Sequence, residues 1–158
     1  MPTIHLTTFI AAPQERVFDL SRSIDLHQRA MSNSKEKAVA GTTTGLIGLN
    51  DTVTWKARHL LKTRFLKSKI VAMDRPNSFT DEQVTGDFKS LQHEHFFKSI
   101  KNGTIVIDLF HFEIPYGIAG RIFNYLVLTR YLRKMLESRN LFIKSYAETE
   151  KWKFLLNK

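Results

Sequence analysis

Apolar and polar residues alternate on both sides of an Asn-Gly pair in the chain, a pattern typical of a β-hairpin. The flanking runs are Leu91–Lys101 and Thr104–Phe112, and Asn102-Gly103 favours a type I′ turn because both residues tolerate a positive φ. A two-residue loop at this pair predicts a register with Phe97 opposite Asp108, His95 opposite Phe110 and His93 opposite Phe112. Because side chains alternate along a strand, these residues share one face, where polar groups stand among phenylalanines.

The segments before this hairpin have the spacing of further strands and of two short helices. Strands are predicted where β-branched and aromatic residues are bounded by turn residues. A proline in the first turn favours one helix start, and Asp25 favours the other. The predicted strands are Thr3–Ala11, Asp51–Leu61, Phe65–Met73 and Ser78–Thr85, and the predicted helices are Pro13–Leu20 and Ser23–Met31. The glycine-punctuated segment Gly41–Gly48 is interpreted as a loop at the rim of a pocket.

After Glu113–Gly117, where a proline ends the last strand, the apolar spacing changes to three and four residues. One apolar stripe continues for about eight turns, which predicts a helix on the order of 45 Å long. The stripe contains Ile118, Ile122, Tyr125, Thr129, Leu132, Leu136, Arg139, Ile143 and Tyr146. The opposite side carries Arg121, Asn124, Arg130, Lys134, Glu137 and Lys144, and is therefore expected to face solvent.

Composition and charge limit the classes of function. A length of 158 residues predicts a single domain over residues 1–158, and the absence of cysteine excludes disulfides and thiolate chemistry. The net charge of +9 is spread along the chain without a basic binding motif, so no nucleic-acid partner is expected. No segment has the roughly 20 apolar residues of a membrane span, and no secretory signal is visible. We therefore expect a cytoplasmic protein without stable membrane insertion; a solvated helix face explains the basic helix better than membrane association.

Five segments carry a resemblance to a known superfamily. They are Ala12–Phe18, Gly45–Trp55, Asp74–Gln83, Gly86–Phe97 and Asp108–Gly117. Together they resemble the SRPBCC, START-like or helix-grip superfamily, in particular its small bacterial polyketide cyclase-like and ligand-binding members. The resemblance implies an α+β helix-grip fold, in which a curved antiparallel sheet of about six or seven strands wraps around a long C-terminal helix. Two short helices follow the first strand, and a ligand cavity lies between the sheet and the long helix.

The resemblance also implies which face of the hairpin is buried, a question that the pattern leaves open because both faces are apolar. The implied inner set is His93, His95, Asp108 and Phe112. The outer set is then Phe96, Ile105, Ile107 and Leu109. Such an outward apolar strip predicts a homodimer surface.

Alternation on the other strands and the helical stripe supply the rest of the expected cavity. The candidate ligand-binding residues are Trp55, His59, Ser68, Asp81, Gln83, His93, His95, Asp108, Phe110, Phe112, Ile122, Leu126, Leu136 and Arg139. Arg139 stands on the apolar stripe, and a buried charge needs a partner. It is interpreted as an ion pair with Asp108 or Asp81, as a guanidinium that reaches solvent, or as a clamp for a ligand carboxylate or phosphate.

Two classes of function fit these residues. The leading hypothesis is the binding of a small hydrophobic molecule such as a lipid, quinone, polyketide or isoprenoid, buried in the apolar cavity. The alternative is a polyketide cyclase-like or aromatase-like enzyme in which His95 or Asp108 performs acid–base chemistry. His93 and His95 could reach a metal with His59 or Asp108 as a third ligand. Hydrogen-bonded histidines are commoner, so no metal site and no cofactor are expected.

Overall fold

The computed structural model describes residues 2–59, 61–115 and 117–156, apart from the side chains of residues 118–121, 123 and 124. The described residues form an antiparallel sheet and α-helices, which confirms the predicted α+β helix-grip arrangement. The strands are β1 (Thr3–Ile10), β2 (Lys37–Gly41), β3 (Thr52–His59), β4 (Lys62–Asp74), β5 (Ser78–Thr85), β6 (Ser90–Ile100) and β7 (Gly103–Glu113). The helices are α1 (Gln14–Ser21), α2 (Ile24–Ala30), α3 (Ile118–Ala147) and α4 (Lys153–Leu156).

The strand order β1-β7-β6-β5-β4-β3-β2 places the first strand beside the last, with antiparallel neighbours throughout. Because β1 and β2 lie at opposite edges, α1 and α2 cross from one edge of the sheet to the other. The 13-residue strand β4 shifts register twice against β5. Such bulges bend a strand and increase its twist, which favours a sheet that curves around the long helix.

Two clusters of buried apolar side chains hold the helices against the inner face of the sheet. In the first, Phe18 of α1 is fully buried and meets Phe79 and Phe97 edge-on, at centroid distances of 5.4 and 5.2 Å. In the second, Leu132 of α3 packs with the fully buried Phe112 of β7. Each such side chain contributes roughly 1.5–3 kcal/mol of hydrophobic transfer energy. The candidate site lies between these two clusters.

One strand of the structure is not predicted by the sequence pattern. β2 pairs with β3, and Lys37 lies opposite Lys56. Its five residues are mostly exposed, and a strand this short shows no clear alternation. It matters for the site because it holds the preceding Glu36 beside the cavity. Its partner β3 corresponds to the predicted strand Asp51–Leu61, of which Leu60 lies outside the described residues.

The β6–β7 hairpin forms, but its predicted register is wrong by two residues. Ile100 pairs with Gly103, so the loop is Lys101-Asn102, and neither loop residue has the positive φ of a type I′ turn. The observed pairs place His95 opposite Asp108, His93 opposite Phe110 and Phe97 opposite Val106. A shift of two residues leaves each side chain on its predicted face, so the inner face is confirmed as buried.

The neighbouring strand β1 explains this register. Thr104 lies opposite Ile10, is fully buried and donates its hydroxyl to the Ala12 carbonyl at 2.8 Å. Gly103 is drawn into the sheet with it, because a Cβ at this position would lie 2.3 Å from the Ile10 carbonyl oxygen. The glycine therefore serves a close backbone approach rather than the turn.

The first turns of α3 depart from the predicted apolar stripe. Ile122 is 66% exposed, and the consecutive residues Tyr125, Leu126 and Val127, which point in three different directions around the helix axis, are 45%, 55% and 49% exposed. This part of α3 therefore extends past the sheet, while Leu132, Leu136, Arg139 and Ile143 are buried as predicted and Tyr146 is partly buried. The predicted stripe residue Ile118 and the predicted solvent-facing residues Arg121 and Asn124 lie outside the described side chains.

The outer face of β6 and β7 carries the predicted apolar strip. Phe96 is exposed, and Ile105, Ile107 and Leu109 are partly exposed. A homodimer through this strip stays a prediction, as does the single domain over residues 1–158. In the described part of the chain, no helix combines the length and the apolar character that a membrane span requires.

Candidate functional site

A cavity of about 460 Å³ lies between the inner face of the sheet and α3. This volume falls within the range of about 300–1,000 Å³ that is typical of small-molecule sites. Both core clusters contribute to its wall, and the apolar lining includes Ile70, Phe79, Leu91, Phe110, Leu132 and Leu136. Polar groups are fewer and converge on two places, an arrangement that can orient a ligand in an otherwise apolar site.

The structure brings most of the predicted site residues together on this wall. Those that line it are Trp55, His59, Ser68, Asp81, His93, His95, Phe110, Leu136 and Arg139. Strand register explains the convergence of the polar ones, because Asp81 of β5 lies directly opposite His93 of β6. In the same way, His95 lies directly opposite Asp108 of β7.

Three predicted residues of the sheet do not lie on the wall. Asp108 is fully buried beneath the histidines, and Phe112 is fully buried in the second core cluster. Gln83 holds the β5–β6 turn by donating from Nε2 to the Phe88 carbonyl at 2.8 Å. Alternation predicts the face on which a side chain lies and not its depth below the cavity surface, so the prediction fails at these positions.

Ile122 and Leu126 also lie away from the wall, because the first turns of α3 extend past the sheet. The helix lines the cavity instead with Val127, Leu128, Tyr131, Leu132, Met135, Leu136 and Arg139. The positions 128, 131 and 135 run parallel to 132, 136 and 139 at helical spacing. If the predicted apolar stripe had included these positions, it would have indicated Tyr131 as a cavity residue from the sequence.

A group of charged and polar residues, the floor cluster, underlies the cavity: Asp81, His93, His95, Asp108 and Asn140. His95 Nε2 donates to Asp81 Oδ2 at 3.0 Å, and its Nδ1 lies 3.0 Å from Asp108 Oδ1, outside hydrogen-bond geometry. His93 donates from Nε2 to the same Asp108 oxygen at 2.9 Å. Asn140 donates from Nδ2 to the other oxygen at 2.6 Å. Strands β6 and β7 and helix α3 therefore meet at Asp108.

The contacts inside the floor cluster set its charges. Burial and the adjacent His95 lower the pKa of His93 to about 4. Burial would also lower the pKa of His95, but Asp108 and Asp81 outweigh it and raise this pKa. Burial opposes ionisation of Asp108, yet both histidines hold its pKa well below the usual value. The two imidazole rings lie 3.7 Å apart between centroids and are tilted by 32°. The contacts therefore favour the charged form of His95 and the neutral form of His93.

Arg139 lines the cavity next to this cluster without forming an ion pair with any described carboxylate. It is 6% exposed, and its guanidinium donates to the Ser21 carbonyl at 3.0 Å and to Asn140 Oδ1 at 3.2 Å. The predicted ion pair with Asp108 or Asp81 is therefore wrong, and so is the predicted exposure to solvent. A guanidinium has five N–H donors, so Arg139 has more donors than these two contacts use.

A second polar group, the rim cluster, lines the cavity beside α2 and consists of His27, Glu36, His59 and Tyr131. Glu36 Oε1 accepts from His27 Nε2 at 2.6 Å, and His59 Nε2 lies 4.0 Å from the other carboxylate oxygen. His59 Nδ1 and the Tyr131 hydroxyl are 2.6 Å apart. Burial lowers the pKa of His59 and raises that of Tyr131.

Of the rim cluster, the sequence predicts only His59 as a site residue. His27 follows Ile24 by three residues and precedes Met31 by four, a helical spacing that would have indicated an inward position. Glu36 has no such signal, because it precedes a strand that the pattern does not predict.

Comparisons with known proteins define the fold. No family model matches the chain, and no curated protein matches it. The chain is similar to the structure of TTHA0849 from Thermus thermophilus, with 18% identity, a TM-score of 0.76 and coverage of 92% of this chain and 97% of that chain. It is similar to the Zhui aromatase/cyclase from Streptomyces sp. R1128, with 12% identity, a TM-score of 0.72 and coverage of 93% of both chains.

A plant protein has the same fold. Ginseng major latex-like protein 151 from Panax ginseng shares 17% identity and a TM-score of 0.67, over 94% of this chain and 98% of that chain. The predicted helix-grip fold is therefore confirmed over nearly the whole chain. At these identities the likeness concerns the fold, and the function has to be argued from the site.

Proposed function

We propose that this protein binds a small hydrophobic molecule that carries an acidic end group, with the acid held by Arg139. The observation that carries the proposal is this buried arginine, which lines an apolar cavity without a carboxylate partner among the described residues. A buried charge without a direct ion pair is costly, and the carboxylates of Asp81 and Glu36 interact with Arg139 only through space. A ligand carboxylate or phosphate would supply the counterion and accept charge-assisted hydrogen bonds.

The apolar wall supports the hydrophobic part of the ligand. Burying apolar surface contributes about 25 cal/mol per Å², so a ligand body that fills this cavity gains affinity from shape and area. Acids of the lipid, polyketide and isoprenoid classes, and acidic quinones, have the required combination. Trp55, His59 and His93 line the same cavity and would fix the orientation of the ligand.

Tryptophan fluorescence can test this proposal, because Trp55 lines the cavity whereas Trp152 lies outside it, stacked beneath Arg16 at 4.2 Å. In a Trp152→Phe background, the emission therefore reports on the cavity alone. We would titrate this protein with decanoic acid and with 1-decanol. The acid should bind at least about tenfold more tightly, a difference of about 1.4 kcal/mol. The variant Arg139→Gln should lose this preference.

The matched control is Arg130→Gln, which removes an exposed cation from the same helix and should leave the preference intact. Equal affinities of acid and alcohol for the wild-type cavity would contradict the acidic end group. No binding of either compound, or of a wider panel of hydrophobic molecules, would contradict ligand binding itself.

Acid catalysis is a second candidate function, of the kind that a polyketide cyclase-like enzyme performs. His95 favours it, because this residue lines the cavity and lies between Asp81 and Asp108, which raise its pKa and so favour its charged form. An imidazolium in this place can donate a proton to a ligand carbonyl. His95→Gln should then abolish turnover of a linear polyketide substrate while its binding persists; unchanged turnover would exclude this role.

A further inference from the structure

Three residues on the cavity wall present metal-binding atoms to one another. Asp81 lies opposite His93 in the β5–β6 register, and His95 follows two residues later on the same face of β6. One oxygen or nitrogen ligand atom from each residue lies within 4.8 Å of the other two. His95 Nε2 and Asp81 Oδ2 are 3.0 Å apart. Ligand atoms bonded to one zinc ion are about 3–3.5 Å apart, so this pair already has nearly the required spacing.

Asp108 supports both histidines from behind. Its Oδ1 accepts from His93 Nε2 at 2.9 Å and lies 3.0 Å from His95 Nδ1, a contact without hydrogen-bond geometry. The nitrogens opposite to it are His93 Nδ1 and His95 Nε2, and the latter bonds Asp81. Metal-binding histidines usually have a carboxylate at the ring nitrogen that does not bind the metal, which fixes the ring and its tautomer. Asn140 in turn fixes Asp108 through the 2.6 Å hydrogen bond to Oδ2.

Charge and access point to a divalent ion. The carboxylates of the fully buried Asp108 and the partly buried Asp81 carry two negative charges, which a divalent cation bound to neutral imidazoles would balance. Asp81, His93 and His95 all line the cavity, so a coordination position would remain open towards it. Two nitrogens and one oxygen with an open position are typical of transition-metal sites of the catalytic zinc type. Magnesium and calcium prefer oxygen ligands alone.

We propose that Asp81, His93 and His95 form a binding site for a divalent transition-metal ion, best matched by Zn²⁺, with its open position facing the cavity. The ion would replace the proton that His95 shares with Asp81. Metal binding and acid catalysis by His95 therefore exclude each other. The site depends on the side chains of β5, β6 and β7 and not on the organic ligand proposed above.

Metal titration of tag-free, chelator-treated protein without any organic ligand tests this site, so the outcome is independent of the ligand-binding experiments. Wild-type protein should bind one equivalent of Zn²⁺ by calorimetry. One equivalent of Co²⁺ should produce the visible absorption of cobalt in a nitrogen–oxygen site. Asp108→Asn should weaken the affinity about 10–100-fold, as expected for a residue that orients the ligands. Asp81→Asn and His95→Asn should weaken it further.

The matched controls lie on the outer face of the same strands. Glu82→Gln removes the carboxylate next to Asp81, which accepts from Gln92 at 2.7 Å, and His111→Asn removes a histidine of β7. Both should bind Zn²⁺ as the wild type does. The absence of cobalt absorption in the wild type would overturn the proposal. So would equal affinities in the wild type and in an Asp81→Asn variant whose circular dichroism shows that it is folded.

Discussion

At the scale of single residues, Asp108 connects the hairpin to the long helix. It is fully buried and contacts the two floor histidines of β6 and Asn140 of α3. In a buried charged network, each charge is stabilised by its oppositely charged neighbours. Removing one charge therefore leaves its partners less well compensated. The same strands carry a comparable pair on their outer face, where Glu94 and His111 are in contact at 2.8 Å.

These two pairs give a stability prediction with its own control. Asp108→Asn should lower the free energy of unfolding by about 3 kcal/mol, because the buried histidines lose one of the two carboxylates that compensate them. Glu94→Gln should cost about 0–1 kcal/mol, because the outer pair is partly exposed to solvent. Urea denaturation of metal-free protein measures both values. If both variants lost the same free energy of unfolding, the buried floor cluster would contribute no more to stability than the outer pair.

Glu36 makes the contribution of the rim cluster to stability dependent on pH. Burial opposes its charge, but His27, His59 and Arg139 together outweigh burial and lower the pKa of Glu36 below the ordinary 4.5. A carboxyl whose pKa is lower in the folded state stabilises the fold fully above the unfolded value, and this stabilisation is lost as the pH falls. The wild type should therefore lose its advantage over Glu36→Gln as the pH falls below about 4.5. Urea unfolding at a series of pH values measures this difference; a constant difference would contradict the interpretation.

The sequence predicts the faces of the floor residues better than their partners. Alternation alone places His93, His95 and Asp108 on one face, and the structure agrees. Their pairing depends on a register that is set by the hydrogen bond from Thr104 to Ala12, between residues far apart in the chain. No local pattern contains that contact. Glu36 shows the same limit, because its burial depends on tertiary neighbours.

At the scale of elements, the hairpin and the long helix show what periodicity can predict. The Asn-Gly signal correctly predicts a hairpin, but the pairing of β7 with β1 moves the turn by one residue. The period of three and four residues correctly predicts α3, although its first turns extend past the sheet. Periodicity describes a surface that can be buried, and the length of the sheet decides how much of that surface is covered.

Gly103 offers a prediction at this scale. A Cβ in this position would lie 2.3 Å from the Ile10 carbonyl oxygen and 3.0 Å from Ala11 Cα, so β1 and β7 would have to separate. Gly103→Ala should therefore lower stability by about 1–3 kcal/mol, as overpacking does. At Gly48 the nearest atom, an Asp51 carboxylate oxygen, lies 3.4 Å away, so Gly48→Ala should cost less than about 1 kcal/mol. Thermal unfolding measures both variants, and a Gly103→Ala protein as stable as the wild type would contradict the observed close approach.

At the scale of the whole molecule, the sheet and α3 enclose a cavity. The fold implies that this cavity exists, but it does not imply which polar groups line it. The order of the elements and the resemblance of five segments predict the helix-grip arrangement, which the solved structures confirm. The polar groups that give the cavity its character come from six different elements, and their convergence depends on register and depth. The missing ion pair of Arg139, on which the proposed function rests, becomes visible only once those contacts are known.

Native mass spectrometry of ligand uptake tests ligand binding in this cavity most directly. Ala57 lines the cavity and is buried, so Ala57→Phe should fill part of its volume without removing any polar group. Ala72→Phe adds the same ring at an exposed position of β4 and is the matched control. We expect the wild type and Ala72→Phe to bind one molecule of decanoic acid and Ala57→Phe to bind none. Equal uptake by all three proteins, or no uptake by the wild type, would contradict binding in this cavity.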